Sequence, residues 1–419
     1  MEEESRVPSS CLKRPRAAVA LLGLSAVAAL ASGCASSDDG GAAGGGGDVN
    51  IGLLTAVSGP ASVYYPSINQ VTALAVKEIN ASGGVNGHKL KLLTQDTKTT
   101  PAVTATNSRL LVSKGVKMMV LEDIVADRDA ALPATTSAKV PFFYAWSYEG
   151  GPLQGGTDTV CQPNFWATGQ VPNNLVPEPV RYLVTEKGWK SWFLIGSDYK
   201  WPRTTNAHIQ NAVTSAGGKV VGSQYVPLTA TDFSALISRL KALPTDTTIV
   251  VNMVGGSLIN FFKQWNAAGG SNDRMIAFAL DEQTLSAIGA AGAGIWGAYD
   301  YYANGETPGN KAFLKKLDAE YGDKVAKPTS LSEEGYEAIW LWALAARKAK
   351  SFDLDKVNAA LPQVSFFGPR GRVRFLPNHH IALPDILRRA GSNGLYTTTV
   401  KDFGVIPPAN QCPPSAFQG

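Results

Sequence analysis

The 419-residue chain has few of the residues that build metal, redox and nucleophilic sites. It contains four cysteines and four histidines. No histidine stands at a metal-ligand spacing from a cysteine or from another histidine, so the sequence predicts no metal site. Neither a G-x-S-x-G elbow nor a G-x-x-x-x-G-K-[ST] loop occurs. These absences argue against a serine hydrolase and against P-loop chemistry, and we expect no cofactor.

The chain also lacks a large excess of positive or negative residues. Charged residues make up 17% of the chain, and the net charge is only +4. Binding of nucleic acid needs a basic stripe, whereas the lysines and arginines here are scattered among acids, so we expect no nucleic-acid partner. The stretch 292–297 matches G-x-G-x-x-G, but a predicted helix precedes it and a predicted strand follows it. A dinucleotide site requires the opposite order.

Residues 1–33 have the pattern of an export signal. Three basic residues precede an apolar run over residues 17–31, namely Lys13, Arg14 and Arg16. The run is shorter than the ~18 apolar residues that a membrane span needs, although an N-terminal anchor helix is the alternative. Ala-Ser-Gly-Cys34 then resembles a bacterial lipoprotein box, in which Cys34 is the lipidated first residue of the mature protein.

Residues 34–48 are read as the lipidated Cys34 and a flexible tether. Glycine, alanine, serine and aspartate fill the stretch 35–48, and such residues leave a chain without regular structure. Two further cysteines remain after Cys11 in the leader and Cys34 are set aside. An exported chain could join Cys161 to Cys412 in a disulfide, and two free thiols are the alternative.

From residue 49 onward, short β-branched and apolar runs alternate with segments of helical period. This alternation predicts an α/β protein with two doubly wound parallel-sheet lobes. Strands are expected over 49–54, 90–96, 117–121, 140–146, 191–196, 219–226, 247–253 and 275–280. Helices are expected between them, and the longest, over about 330–350, carries tryptophans that we interpret as core residues.

The ends of several predicted strands carry aromatic rings together with carboxylates. In doubly wound sheets the ligand lies at the carboxyl ends of the strands, near the switch in strand order. Rings with a few polar groups suit a small polar ligand that is stacked and oriented by hydrogen bonds. Ordinary packing is the alternative for each ring taken alone. The stretches concerned are 121–123, 144–149, 197–201 and 280–282.

Several motifs in order resemble the type I periplasmic solute-binding proteins of ABC importers, over roughly residues 49–400. The resemblance is greatest to the urea and short-chain-amide branch of the leucine/isoleucine/valine-binding superfamily. It is carried by IGLLTAVSG (51–59), EINASGGVNG (78–87), FYAWSYEG (143–150), GSDYKWPRTTN (196–206), PLTATDFS (227–234) and FFKQWNAAG (261–269).

The resemblance implies two lobes that three hinge crossings join, near residues 166–169, 297–300 and 364–368. Lobe 1 is expected to comprise 49–167 and 300–364, and lobe 2 to comprise 168–299 and 365–419. It further implies a monomer that closes over a small-molecule ligand and delivers it to the transmembrane subunits of an ABC permease. The protein would stand outside the bacterial cell membrane, or in the periplasm, held to the membrane by lipidated Cys34.

The resemblance and the strand ends together give a set of candidate ligand-binding residues. They are Tyr64, Asp123, Tyr144, Trp146, Ser147, Tyr148, Tyr199, Trp201, Asp281 and Tyr299. Asp123 stands where the urea and amide branch has a ring, and Val125 where it has a serine. The extra carboxylate, with Asp281 facing it, favours an amino or guanidinium group on the ligand. The alternative is that Asp123 caps the following helix.

The sequence therefore predicts a binding protein and not an enzyme. Its ligand is expected to be a small polar nitrogen-containing molecule: urea, an amide, an amino acid or an amine. One alternative is a receptor subunit whose closure is read by a signalling protein. The other is an amidase-type hydrolase, which would need a nucleophile with a base beside it.

Overall fold

The computed structural model describes residues 47–147, 149, 152–153, 156–157, 160–409 and 412–417. Its strands are β1 Val49–Thr55, β2 Leu90–Asp96, β3 Met119–Glu122, β4 Phe142–Tyr144, β5 Pro152–Leu153, β6 Gly156–Thr157, β7 Phe165–Ala167, β8 Ser191–Ser197, β9 Lys219–Val226, β10 Thr247–Asn252, β11 Met275–Ala277, β12 Trp296–Tyr299, β13 Phe366–Gly368, β14 Gly371–Val373, β15 Leu383–Ala390 and β16 Tyr396–Ile406.

The helices alternate with these strands along most of the chain. They are α1 Tyr65–Ala81, α2 Pro101–Ser113, α3 Val125–Ser137, α4 Pro172–Leu175, α5 Pro177–Thr185, α6 Lys200–Ser215, α7 Ser234–Lys241, α8 Gly255–Ala267, α9 Glu282–Ile288, α10 Pro308–Tyr321, α11 Ser330–Ala349 and α12 Leu354–Ala360. Among the helices described, none is both long enough and apolar enough to cross a bilayer.

Two sheets form the centres of two lobes. The first is parallel, with strand order β2-β1-β3-β4-β7. The second has the order β16-β15-β12-β11-β10-β8-β9, and β15 runs antiparallel to both of its neighbours, β12 and β16, while the other pairs are parallel. In each sheet the order reverses beside the lobe's first strand, as in doubly wound folds. The predicted fold class is confirmed.

Burial explains why these strands are nearly continuous apolar runs. All seven residues of β8 and all six of β10 are buried, because helices cover both faces of a parallel sheet. The first sheet packs against α11, whose Trp342 is fully buried, while Trp340 is partly buried and stacks on Phe366 at 5.1 Å. The tryptophans of α11 therefore serve packing.

The third hinge crossing between the lobes lies later in the chain than the expected residues 364–368. The hairpin β13–β14 belongs to lobe 1, because Val373, Phe375 and Ile381 pack in the core of the first sheet. The chain joins the second sheet only at β15, which begins at Leu383. Apolar side chains in the stretch after 364 hold it to lobe 1, so 365–382 do not belong to lobe 2 as expected.

Candidate functional site

The carboxyl ends of the two sheets face a cleft, and the lobes meet across it. The hydroxyl of Tyr64, which precedes α1 in lobe 1, accepts a hydrogen bond from the Gly255 amide at the start of α8 in lobe 2, at 3.1 Å. The Gly256 amide donates to the Pro60 carbonyl at 3.4 Å. Gly255 has φ +62°, and a β-carbon there would lie 2.3 Å from the Pro60 oxygen. Only glycine permits this approach of the lobes.

Four of the predicted aromatic residues lie in this region. The rings of Tyr64 and Trp146 meet edge to face, with centroids 5.0 Å apart. Tyr144 is fully buried at the end of β4, and Tyr199 is partly buried directly before α6. Burial raises the pKa of the Tyr199 hydroxyl, and the neighbouring Tyr64 and Asp123 raise it further. Tyr199 of lobe 2 thus lies near Tyr64 and Tyr144 of lobe 1.

Asp123 contributes a buried carboxyl from the loop after β3. Its oxygens accept hydrogen bonds from the Thr97 hydroxyl and, at 2.7 Å, from the Ile124 amide. Burial raises the pKa of Asp123 to about 8, and the nearby Asp127 adds to the rise. Asp127 has its own pKa raised to about 6 by burial, opposed by a hydrogen bond from Thr104. The N-cap of α3 is Ile124, so Asp123 is not its capping residue.

Asp281 contributes the second carboxyl, from lobe 2. It is the N-cap of α9, and its Oδ1 accepts from the Thr284 amide at 2.9 Å and from the Thr284 hydroxyl at 2.8 Å. Burial raises the pKa of Asp281 while these bonds lower it. Its charge helps to raise the pKa of Tyr64. Asp281 therefore lies near Tyr64, and Asp123 lies near Tyr199, which itself neighbours Tyr64.

Ser147 and Trp201 lie together, to one side of these carboxyls. Both line a small cavity of about 10 Å³ whose other walls include Gln170, Leu175 and Thr205. Trp201 packs in the apolar cluster of lobe 2, which also takes in Val125 from lobe 1. The structure thus brings both residues to the boundary between the lobes.

Tyr299 lies in the core of lobe 2 and does not join the other rings. Its hydroxyl donates to the Ala277 carbonyl at 3.3 Å, and its ring packs 5.7 Å from both Tyr302 and Tyr396. The core alternative therefore applies to Tyr299. Tyr148 and Cys34 lie outside the described residues.

Arg128 is a buried charge at the site that the sequence did not single out. Its guanidinium lies 2.7 Å from the buried Glu149 carboxylate and 2.6 Å from Asp129. It also lies over the Tyr144 ring, 5.4 Å from the centroid. The sequence does place Arg128 in the first turns of the helix that follows Asp123. The spacing of apolar residues does not show which charged side chain of such a helix is buried.

A second group of buried charges lies where the chain crosses between the lobes. Arg370 forms ion pairs with Asp300, Glu333 and Glu337. Asp300 follows β12 directly, and Gln170, just after β7, donates to it at 2.9 Å. Pairing of this kind is needed to hold charges away from water. The group ties two crossings to α11.

The C-terminal segment is fastened to lobe 1. Cys161 and Cys412 form a disulfide with a Cα–Cα distance of 5.7 Å. Phe417 stacks on His379 at 3.6 Å, and His379 stacks on Trp166 at 3.5 Å. His379 thus serves packing, and within the described ranges no group of three metal-ligating side chains occurs.

Comparison with known proteins gives a consistent result. The sequence profile of a family described as periplasmic binding protein matches residues 48–390. "Leu/Ile/Val-binding protein homolog 7" of Brucella suis biovar 1 is 26% identical over 359 residues, which are 82% of this chain and 86% of that protein.

Solved structures share the fold at lower identity. A solute-binding protein of an ABC transporter from Rhodopseudomonas palustris BisB5, in complex with 3,4-dihydroxybenzoic acid, matches with a TM-score of 0.76 and 24% identity over 86% of this chain and 99% of that one. The branched-chain amino acid binding protein LivJ from Streptococcus pneumoniae, in complex with isoleucine, matches with a TM-score of 0.72 and 21% identity over 86% of this chain and all of that one.

Proposed function

Because the chain belongs to the periplasmic binding protein family, we propose that it is the solute-binding component of an ABC importer. It stands outside the cell membrane, tethered through lipidated Cys34, and hands its ligand to the transmembrane subunits of the permease. The two lobes close over the ligand, which contacts both of them only in the closed form. The binding step involves no covalent chemistry.

We propose further that the ligand is a small molecule with a positively charged amino group. The observation that carries this proposal is a pair of buried carboxyls beside two neighbouring tyrosines: Asp123 of lobe 1 acts on Tyr199, and Asp281 of lobe 2 acts on Tyr64. A buried carboxyl without a cation favours its protonated form, and a cationic ligand would stabilise the ionised form instead. The faces of aromatic rings attract cations as well.

The same charges distinguish between the ligand classes. A benzoate, such as the R. palustris protein holds, would bring an anion close to Asp123, which would then have to stay protonated because its ionised form would repel the ligand. An amino acid or an amine would place an ammonium group there. Urea or an amide is neutral and would need only hydrogen bonds from the same groups. We therefore rank amines and amino acids first, and urea and amides second.

Thermal unfolding with a ligand panel tests the proposal. Purified protein is heated with amines, amino acids, urea, short amides and hydroxybenzoates, and each ligand that shifts the melting temperature is then titrated by calorimetry. A ligand at 100 times its dissociation constant stabilises the fold by about 2.7 kcal/mol. We expect shifts with amines or amino acids. Shifts with hydroxybenzoates alone would contradict the cationic ligand, and release of ammonia from an amide would contradict a pure binding role.

A further inference from the structure

One ion pair joins the two lobes at the cleft, away from the hinge crossings. Lys200 is the first residue of α6 in lobe 2, and its Nζ lies 3.5 Å from the Glu149 carboxylate of lobe 1. The Lys200 side chain is 40% exposed, whereas Glu149 is fully buried. The pair therefore stands at the rim of the closed cleft, with its acidic member inside.

Glu149 receives positive charge from both lobes. Arg128, on α3 of lobe 1, lies 2.7 Å from the same carboxylate oxygen. Burial raises the pKa of Glu149, while Arg128 and, to a smaller extent, Lys200 lower it. Arg128 is shared with the exposed Asp129, and Lys200 places a second positive charge beside Glu149. When the lobes separate, Arg128 moves with Glu149 but Lys200 does not.

The contact also reaches the wall of the site. The Arg128 guanidinium lies over the ring of Tyr144, one of the candidate ligand-binding residues. The negative charge of Glu149 therefore helps to fix the position of the Arg128 guanidinium over that ring. A rim contact of lobe 2 is linked through two buried side chains of lobe 1 to the surface that would face the ligand.

We propose that Lys200 is a closing latch: it binds Glu149 only in the closed form and thereby slows release of the ligand. Lys200 is a positioning residue, which acts through Glu149 and Arg128. The proposal rests on the proposed function, since it concerns the closure that traps the ligand. Because Lys200 is partly exposed, dissolved salt should weaken the latch.

The test compares Lys200→Met with the wild type in purified full-length protein, using a ligand identified by the panel. We expect the dissociation constant to rise about three- to tenfold, mainly through faster dissociation, and the dependence of affinity on salt to shrink. Lys200→Arg should restore both. Arg203→Met is the matched control, because Arg203 lies on the same helix and pairs with Asp198 of the same lobe at 2.6 Å. Equal affinity and salt dependence in Lys200→Met and wild type would overturn the latch, as would an equal effect of Arg203→Met.

A second measurement needs no ligand and separates this proposal from the proposed function. Spin labels are attached after Lys91→Cys and Lys219→Cys, both exposed, on the edge strands of the two sheets, with Cys11 and Cys34 replaced by serine so that they take up no label. In Lys200→Met the distance distribution should shift towards open lobes, and salt should produce the same shift in the wild type. If nothing in the panel binds but this shift occurs, the ligand proposal fails and the latch stands. If a ligand binds but neither readout responds to Lys200→Met, the latch fails alone.

Discussion

At the scale of single residues, Asp123 is the position where the sequence left two roles open. The structure gives the neighbouring helix the N-cap Ile124 and directs the Asp123 oxygens to Thr97 and to the adjacent amide. Asp123 therefore does not cap this helix. What remains is a buried carboxyl whose pKa is raised to about 8 and whose surroundings include Tyr199.

Substitution of Asp123 by Asn should weaken binding of a cationic ligand at least tenfold, because the neutral amide cannot ionise in response to it. Stability should not fall, since the cost of burying a carboxyl is removed. Calorimetry and thermal unfolding measure the two effects. Asp318→Asn, an exposed change on α10, is the control. Unchanged affinity for the true ligand would show that Asp123 carries no charge role.

Tyr64 offers a second test at this scale, because its hydroxyl joins the lobes. In Tyr64→Phe the ring stays against Trp146, but the Gly255 amide loses its partner across the cleft. We expect the dissociation constant to rise about five- to tenfold, which corresponds to a hydrogen bond of about 1 kcal/mol. Tyr299→Phe, which removes a hydroxyl bonded within lobe 2, should change stability without changing affinity. Equal effects of the two substitutions on affinity would contradict a special role for Tyr64.

At the scale of elements, α9 shows how a helix end serves both folding and binding. Asp281 caps this seven-residue helix through Thr284, and the same carboxyl influences Tyr64. A cap fixes the side chain in one orientation, because its oxygen must reach the amides of the first turn. The orientation of the proposed ligand carboxyl in lobe 2 is thus a consequence of local helix chemistry.

Two substitutions separate these roles of Asp281. Asp281→Asn keeps a good capping residue, so stability should change by less than about 0.5 kcal/mol while affinity for a cationic ligand falls. Asp281→Ala should lose both the affinity and about 1 kcal/mol of stability. Chemical denaturation and calorimetry on the two variants give the comparison. Unchanged affinity in Asp281→Asn would show that Asp281 caps the helix and does not bind the ligand through its charge.

At the scale of the whole molecule, buried carboxyls outnumber buried lysine and arginine side chains in the part of the chain that the structure describes. Burial raises the pKa of Glu122 and Glu334, which also face each other, and that of Asp385. A group whose pKa is higher in the folded state than in the unfolded state binds protons more tightly when folded. Its contribution to stability is present in full below its unfolded pKa and is lost as the pH rises towards its folded pKa.

The free energy of unfolding should therefore decrease as the pH rises above 4.5, the ordinary pKa of a glutamate, by up to about 1.4 kcal/mol per pH unit for each such group. Glu122→Gln should flatten this dependence, because the amide does not titrate. Denaturant titrations at several pH values measure the slopes. Glu306→Gln, an exposed change at a residue paired with Lys311, is the control. An identical slope in Glu122→Gln and wild type would show that Glu122 does not take up a proton on folding.

The bounds of helices and strands were predicted better from the sequence than the packing of these elements against one another. The expected strand 219–226 coincides with β9, and the expected helix over about 330–350 coincides with α11, because the spacing of apolar residues is set by local geometry. Helix α6 begins at Lys200, so its first turn includes Trp201 of the aromatic stretch 197–201. The hairpin after residue 364 packs on lobe 1 and not on lobe 2 as expected, because Val373 and Phe375 enter the core of the first sheet, a contact that local periodicity does not reveal.

The sequence by itself determined the two doubly wound lobes and the presence of rings and carboxyls at the strand ends, since these follow from periodicity and from the rule that ligands lie at strand ends. It did not determine which ring is core, which aspartate caps a helix or which cation neutralises Glu149. The tertiary structure decided that Tyr299 lies in the core, that Asp281 is the cap and that Arg128 and Lys200 meet Glu149. Those outcomes depend on contacts between residues far apart in the chain, and local patterns carry no information about such contacts.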